Sequence, residues 1–317
     1  MKVILATQMG MCFGVRDAIA ETRNTPNPNQ TTIYGELVHN RQVVDELRLR
    51  GFAMTPETTR DDIPPTPQIL ITAHGISNKE HQRLANAGKI LIDTTCPLVH
   101  RIHAAAQKLE RDGYFVVVIG KHNHVEVRGI VDDLRNYAVV DARDEVQCFD
   151  SPRVGIVCQS TTPPSHADAM RREIETKNIG KEICFIDTIC HPTRARQEAV
   201  LALFGQVDAL VVVGGRNSNN TRQLANLATE HGIPALHVER PDDLNPDWFK
   251  DFSIVGLTAG TSTPDHTIRA IHKALLSIRP QGRTESRLAR ICVALAAVPL
   301  RLVRSSFAMK FLLKGNQ

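Results

Sequence analysis

The chain lacks any close pair of cysteines, although seven are spread along its 317 residues. That pattern excludes the disulfide framework of a small secreted domain, in which cysteines crowd together. It also lacks a block of one charge. The formal net charge of +4 is mild and dispersed, so nucleic acid is not an expected partner, whereas a small anion is compatible with it. The start, Met-Lys-Val-Ile-Leu-Ala, passes at once into polar sequence and is too short for a secretory signal. The expected location is therefore cytoplasmic. Aromatic residues are few, at 4%, but the 42% hydrophobic and 23% charged content is that of an ordinary globular protein. The length predicts two or three compact units.

In a reducing compartment, cysteines serve as small core residues or as ligands and nucleophiles. Cys148, Cys158 and Cys184 lie in or beside apolar strand-like runs and are expected in the core. Cys12, Cys96 and Cys190 each sit just beyond such a run, where sites are built.

An internal repeat links these three. Ile-Leu-Ile-Asp-Thr-Thr-Cys-Pro, ending at Pro97, resembles Phe-Ile-Asp-Thr-Ile-Cys-His-Pro, ending at Pro192. The same number of residues separates Cys96 from Gly120 and Cys190 from Gly214, and Cys12 stands in a looser version of this relation to Gly35. Between cysteine and glycine comes helical periodicity, as in Leu98, Val99, Ile102, Ala105, Ala106 and Leu109, followed by a strand. Later apolar runs close into the polar turns Ala-His-Gly, Gln-Ser-Thr-Thr-Pro and Thr-Ala-Gly-Thr-Ser-Thr-Pro.

This alternation predicts an α/β protein of three similar units, each a parallel sheet flanked by helices, in a pseudo-threefold trefoil. The expected boundaries are 1–90, 91–184 and 185–279, followed by an extension over 280–317. Ligands collect beyond the carboxyl ends of such strands, where all three cysteines fall. The competing view is generic α/β punctuation with cysteines that never meet.

Thiolates suit zinc or iron–sulfur clusters. A cubane cluster usually takes four cysteines, so three would leave one iron open as a Lewis acid for a substrate oxygen. Zinc held by three cysteines and a histidine is the alternative, although zinc sites commonly have short cysteine spacings. His39, His74 and His124 each follow an apolar run and, with Ser218, Asn220 and Ser262, form a donor set suited to phosphate. Glu126 is the carboxylate beside His124 and a candidate proton carrier. Taken singly, each histidine reads better as an ordinary surface residue, and Glu126 reads also as a plain surface glutamate; it is the set that points to phosphate.

At these positions the chain resembles the 4-hydroxy-3-methylbut-2-enyl diphosphate reductase (LytB) family. The motifs are Cys-Phe-Gly-Val-Arg at Cys12, Leu-Val-His-Asn at His39, Ala-His-Gly at His74, Thr-Cys-Pro at Cys96, His-x-Glu at His124, Thr-Ile-Cys at Cys190 and Asn-Ser-Asn-Asn-Thr after Gly215. The resemblance covers roughly residues 1–279. It implies a four-iron four-sulfur cluster on Cys12, Cys96 and Cys190, with one iron not ligated by protein and able to bind the substrate C4 oxygen. It further implies electrons from a ferredoxin or flavodoxin, and diphosphate binding by His39, His74, His124, Ser218, Asn219, Asn220 and Ser262. Glu126 would deliver protons, with His124 beside it, and isopentenyl and dimethylallyl diphosphates would be the products. Gln-Ser-Thr-Thr stands where Gln-Thr-Thr is common in the family, which leaves Ser160 or Thr161 as the hydroxyl near the substrate alcohol.

The extension carries an apolar run over 291–300, too short to span a bilayer, flanked by Arg287, Arg290, Arg301, Arg304, Lys310 and Lys314. It reads as a basic amphipathic segment for a membrane surface or a subunit contact, or as a plain surface helix. Two rival functions remain. One is a paralogous iron–sulfur reductase of another allylic diphosphate, and the other is a non-catalytic cluster-bearing diphosphate-binding protein.

Overall fold

The computed structural model describes residues 1–57 and 62–278. The basic extension over 280–317 lies outside the described residues. Strand and helix alternate from β1 (Lys2–Leu5) and α1 (Phe13–Asn24) onward. The first sheet holds β2 (Thr31–Tyr34), β3 (Ala53–Thr55), β4 (Gln68–Ile71) and β5 (Ile90–Asp93), with α2 (Arg41–Leu49) and α3 (Asn78–Asn86) between them. The second holds β6 (Phe115–Ile119), β7 (Tyr137–Val140), β8 (Arg153–Cys158) and β9 (Glu182–Phe185), after α4 (Pro97–Arg111) and with α5 (Val125–Asp132) and α6 (Pro164–Lys177). The third holds β10 (Ala209–Val213), β11 (Ala235–Val238) and β12 (Ile254–Ala259), with α7 (His191–Leu201), α8 (Asn219–Glu230) and α9 (Asp265–Ser277), and it takes in β1.

The strand orders β3-β2-β4-β5, β7-β6-β8-β9 and β11-β10-β12-β1 are the same order three times, and every pairing is parallel. Sheet membership therefore departs from the boundaries expected at residues 90 and 184. β1 pairs with β12, Lys2 against Ile254 and Leu5 against Leu257, so the first strand of the chain completes the last sheet. β5 and β9 likewise close the sheet that precedes them in the chain. Each repeat begins at its cysteine rather than at the strand before it.

Burial follows from composition. β6 and β10 are runs of valine covered on both faces, with Val116, Val117, Val118, Val211, Val212 and Val213 at 0% exposure, as expected for central parallel strands. The edge strands β1, β5 and β9 are only partly covered. α4 lays Ile102, Ala106 and Leu109 on its sheet. Leu109 fits because β8 carries Gly155, where a Cβ would come within 2.9 Å of both Leu109 methyls. Truncating Leu109 to alanine would cost about 2–5 kcal/mol, the usual range for such a core deletion.

Of the three cysteines expected in the core, Cys158 is buried and Cys184 is partly buried against the α4 side of the sheet, but Cys148 is exposed. Its run breaks into a loop after Val146, and the chain turns Phe149 inward instead. Among the described residues, no helix is long and apolar enough to cross a membrane.

Candidate functional site

Cys12, Cys96 and Cys190 are the N-cap residues of α1, α4 and α7, and none uses its side chain to cap the helix. Each follows an edge strand, and each donates its backbone N–H to a carbonyl two residues past the end of the neighbouring strand. The acceptors are Thr261 for Cys12 at 3.0 Å, Ala73 for Cys96 at 3.1 Å and Ser160 for Cys190 at 2.9 Å. These are the polar turns noted in the sequence. The repeated ladder thus seats all three thiols in equivalent places around one cavity.

A helix N-terminus favours negative charge, and hence a thiolate. Burial opposes it, pushing the Cys190 thiol up to about 12 and raising Cys96. Burial wins at Cys96 and Cys190, so those two sulfurs need a bound cation to ionise. Gly14, two residues past Cys12, leaves room for Cys96: a Cβ there would stand 2.5 Å from Cys96 Sγ. The Thr193 hydroxyl lies 3.1 Å from Cys190 Sγ. Arg196 is buried beside the thiols, tied to the carbonyls of Gly10 and Pro192. Sequence reasoning missed both, although a three-residue step along α7 places Thr193 over Cys190.

The donor set fits an iron–sulfur cluster: three free, soft ligands on rigid helix ends with space between them. A single zinc ion would draw its sulfurs to about 3.8 Å from one another at the usual Zn–S length. Among the described residues, the group whose candidate metal-ligand atoms lie mutually within 4.8 Å is instead His39, Glu57 and His74.

The three histidines meet as expected. Ring centroids are 4.2 Å apart for His39 and His74, 5.4 Å for His39 and His124, and 5.8 Å for His74 and His124. His124 caps α5, its Nδ1 accepting from the Glu126 backbone N–H at 3.2 Å. Burial, reinforced by nearby His39, drives its pKa down to about 3. The ring is therefore neutral with its proton on Nε2, a fixed donor rather than a free lone pair.

α8 presents its N-terminus to the same cavity, a ready anion site. Ser218 caps it by accepting from the Thr221 N–H at 3.3 Å, which leaves the hydroxyl hydrogen free to donate. Asn220 accepts from the Thr261 N–H at 3.0 Å, and its buried Nδ2 has no partner. A buried orphan donor beside a cavity fits an anionic ligand. Asn219 donates to Thr161 Oγ1 at 2.8 Å, and Ser262 donates to the His39 carbonyl at 3.2 Å.

Glu126, only 2% exposed, accepts from the Ser160 N–H at 2.6 Å and the Ser160 hydroxyl at 2.7 Å. Its pKa is raised: burial dominates and the two Ser160 bonds pull the other way. A carboxyl held above its ordinary value is suited to carry a proton near neutral pH. The geometry also separates the two hydroxyls that the sequence left open, since Ser160 meets Glu126 and Thr161 meets Asn219. One further contact had no sequence signal: Glu57, from the loop after β3, lies 3.2 Å from His39 Nε2.

A profile of the LytB protein family matches residues 3–276. The chain is 34% identical over 283 residues to the 4-hydroxy-3-methylbut-2-enyl diphosphate reductase of Aquifex aeolicus, an alignment covering 87% of this chain and 96% of that one. To the Helicobacter pylori strain P12 protein of the same name it is 33% identical over 280 residues, covering 88% of this chain and all of that one. Among solved structures, the Plasmodium falciparum E-1-hydroxy-2-methyl-but-2-enyl-4-diphosphate reductase shares the fold, with TM-score 0.80, 24% identity and coverage of 90% of this chain and 93% of that one. An (E)-4-hydroxy-3-methyl-but-2-enyl diphosphate reductase, described as the terminal enzyme of the non-mevalonate pathway, superposes with TM-score 0.61 at 34% identity, covering 88% of this chain and 100% of that one.

Proposed function

The chain belongs to the LytB protein family, and from that premise we propose how its own residues carry the family's reaction. It is an iron–sulfur oxidoreductase that reduces 4-hydroxy-3-methylbut-2-enyl diphosphate at the end of the non-mevalonate route to isoprenoids. Cys12, Cys96 and Cys190 hold a four-iron four-sulfur cluster, and three ligands for four irons leave one iron without a protein ligand. When bound, the cluster supplies electrons and an open Lewis-acidic iron. The observation that carries this assignment is the threefold equivalence of the cysteines: three N-caps, three identical strand orders and three matching backbone bonds around one cavity.

The diphosphate lies against His39, His74 and the Nε2–H of His124, with the Ser218 hydroxyl, Asn219, the Asn220 amide, Ser262 and the N-terminus of α8 completing the cradle. That grip points the allylic alcohol toward the cysteines. Two electrons and two protons are consumed. One proton leaves with the C4 hydroxyl as water, and the other ends on carbon, giving isopentenyl or dimethylallyl diphosphate. Glu126 supplies the proton to the leaving hydroxyl, oriented by Ser160. His124 serves this step through its ring, which caps the turn carrying Glu126. Thr161 positions Asn219 rather than touching the alcohol. An acidic one-electron carrier of the ferredoxin or flavodoxin class, in the cytoplasm, supplies the electrons.

Anaerobic turnover tests the assignment. Cluster-loaded protein with reduced methyl viologen should convert the substrate to the two five-carbon diphosphates, read by mass spectrometry. Loaded protein that binds the substrate and yields neither product would overturn it in favour of a binding protein.

A further inference from the structure

Glu57 has no place in the reaction as described, yet it reaches the middle of the cradle. Its Oε1 lies 3.2 Å from His39 Nε2, and one ligand atom each from His39, Glu57 and His74 lies within 4.8 Å of the other two. The three come from separate segments, His39 from the turn before α2, Glu57 from the loop after β3, and His74 from the turn after β4. His39 is 8% exposed and the Glu57 side chain 26%, so the group sits in a partly dry recess rather than on open surface. Glu36, half-buried and electrostatically within reach of both His39 and Glu57, adds a second carboxylate. Two carboxylates beside a diphosphate cradle are the wrong sign for the substrate and the right sign for a cation.

We propose that His39, His74 and Glu57 form a binding site for a divalent transition-metal ion such as Zn²⁺, distinct from the three-cysteine centre. Two imidazoles and one carboxylate are a sufficient protein ligand set for zinc, with the fourth position open. Ligand distances near 2.0 Å require the three atoms to close together. His124 is not part of the set, since its Nδ1 already accepts from Glu126 and its Nε2 carries the proton. The ion sits in the cradle when no diphosphate is there, a clause that rests on the diphosphate reading above. Bound there, it withholds two histidines from the substrate.

The test reads metal uptake and no turnover, so its failure and that of the reductase reading are separable. Cluster-loaded protein is titrated calorimetrically with Zn²⁺ in buffer free of thiols and chelators, and cluster iron is assayed before and after. One ion should bind per chain with the iron unchanged. Glu57→Gln should weaken uptake at least about tenfold, the least expected when a metal site loses a supporting group. Glu145→Gln removes the carboxylate from an exposed His122–Glu145 pair at 3.0 Å and should change nothing. No saturable uptake by the wild type, equal affinity in Glu57→Gln, or release of cluster iron in step with zinc uptake would each overturn the site.

Discussion

Ser160 holds Glu126 by both carboxylate oxygens, its backbone N–H donating to one at 2.6 Å and its hydroxyl to the other at 2.7 Å. Both bonds lower a pKa that burial has raised. In the proposed role Glu126 acts in its protonated form, so activity should fall as pH rises through that pKa. Ser160→Ala removes one lowering bond, and the pKa climbs further. The alkaline limb of the pH–rate profile should therefore move to higher pH, while the maximum drops because the carboxyl is less firmly oriented. A limb that stayed in place or moved down would separate Ser160 from Glu126 in catalysis.

Glu126→Gln keeps length and hydrogen bonding but has no transferable proton. Turnover should fall at least about a hundredfold, the usual scale for losing a positioned general acid, with cluster content and diphosphate affinity retained. The same variant tests the burial. A carboxyl whose folded pKa is raised stabilises the fold fully below its ordinary value of 4.5 and loses that contribution as pH rises through the folded pKa. Glutamine does not titrate. Denaturant midpoints should therefore favour Glu126→Gln increasingly from mildly acidic to mildly alkaline pH, and parallel curves for the two proteins would count against a raised pKa.

That the three cysteines come to one cavity, and that the three histidines meet, was legible because each lies beyond an apolar run, and a parallel sheet gathers such positions past the carboxyl ends of its strands. The membership of β1 was not legible. Nothing in Lys2–Leu5 distinguishes a strand that opens the first sheet from one that closes the last; only the threefold strand order does. Cys148 was misplaced because an apolar neighbourhood in sequence does not say which side chain a loop turns inward, and here it is Phe149. Glu57 was invisible for the opposite reason: its contact with His39 spans two segments with no shared pattern. Ser160 and Thr161 could be assigned only by their partners, since adjacent residues past a strand end point different ways.

Gly14 provides a test of the thiol cradle that touches no ligand. Its replacement by alanine sets a Cβ 2.5 Å from Cys96 Sγ and 3.1 Å from Cys96 Cβ. A free thiol could rotate aside, but one holding iron, as proposed for Cys96, could not. Gly14→Ala should therefore fold normally when cluster-free, by circular dichroism and thermal midpoint, yet take up markedly less iron and sulfide on anaerobic reconstitution. Full reconstitution would mean that Cys96 can bind the cluster from another rotamer.

Cys96 and Cys158 should respond in opposite ways to the same one-atom change. Cys158 lies in β8 at 0% exposure, with Thr188 bonded to its backbone on both sides. A serine there buries a hydroxyl where a thiol was nearly apolar, costing about 1–3 kcal/mol when the hydroxyl finds no good partner, and it should leave cluster content and kcat unchanged. At Cys96 the helix N-cap position tolerates serine well, and a serine oxygen can accept from the first turn of α4. Cys96→Ser should thus be as stable as the wild type or more so when cluster-free, yet lose most of its iron, because a hydroxyl is a hard, poor ligand for a sulfide cluster. Denaturant midpoints on cluster-free protein, together with iron and sulfide assays after reconstitution, separate the two effects. A Cys96→Ser protein that carried a full cluster and turned over normally would refute the three-cysteine centre, however well it folded.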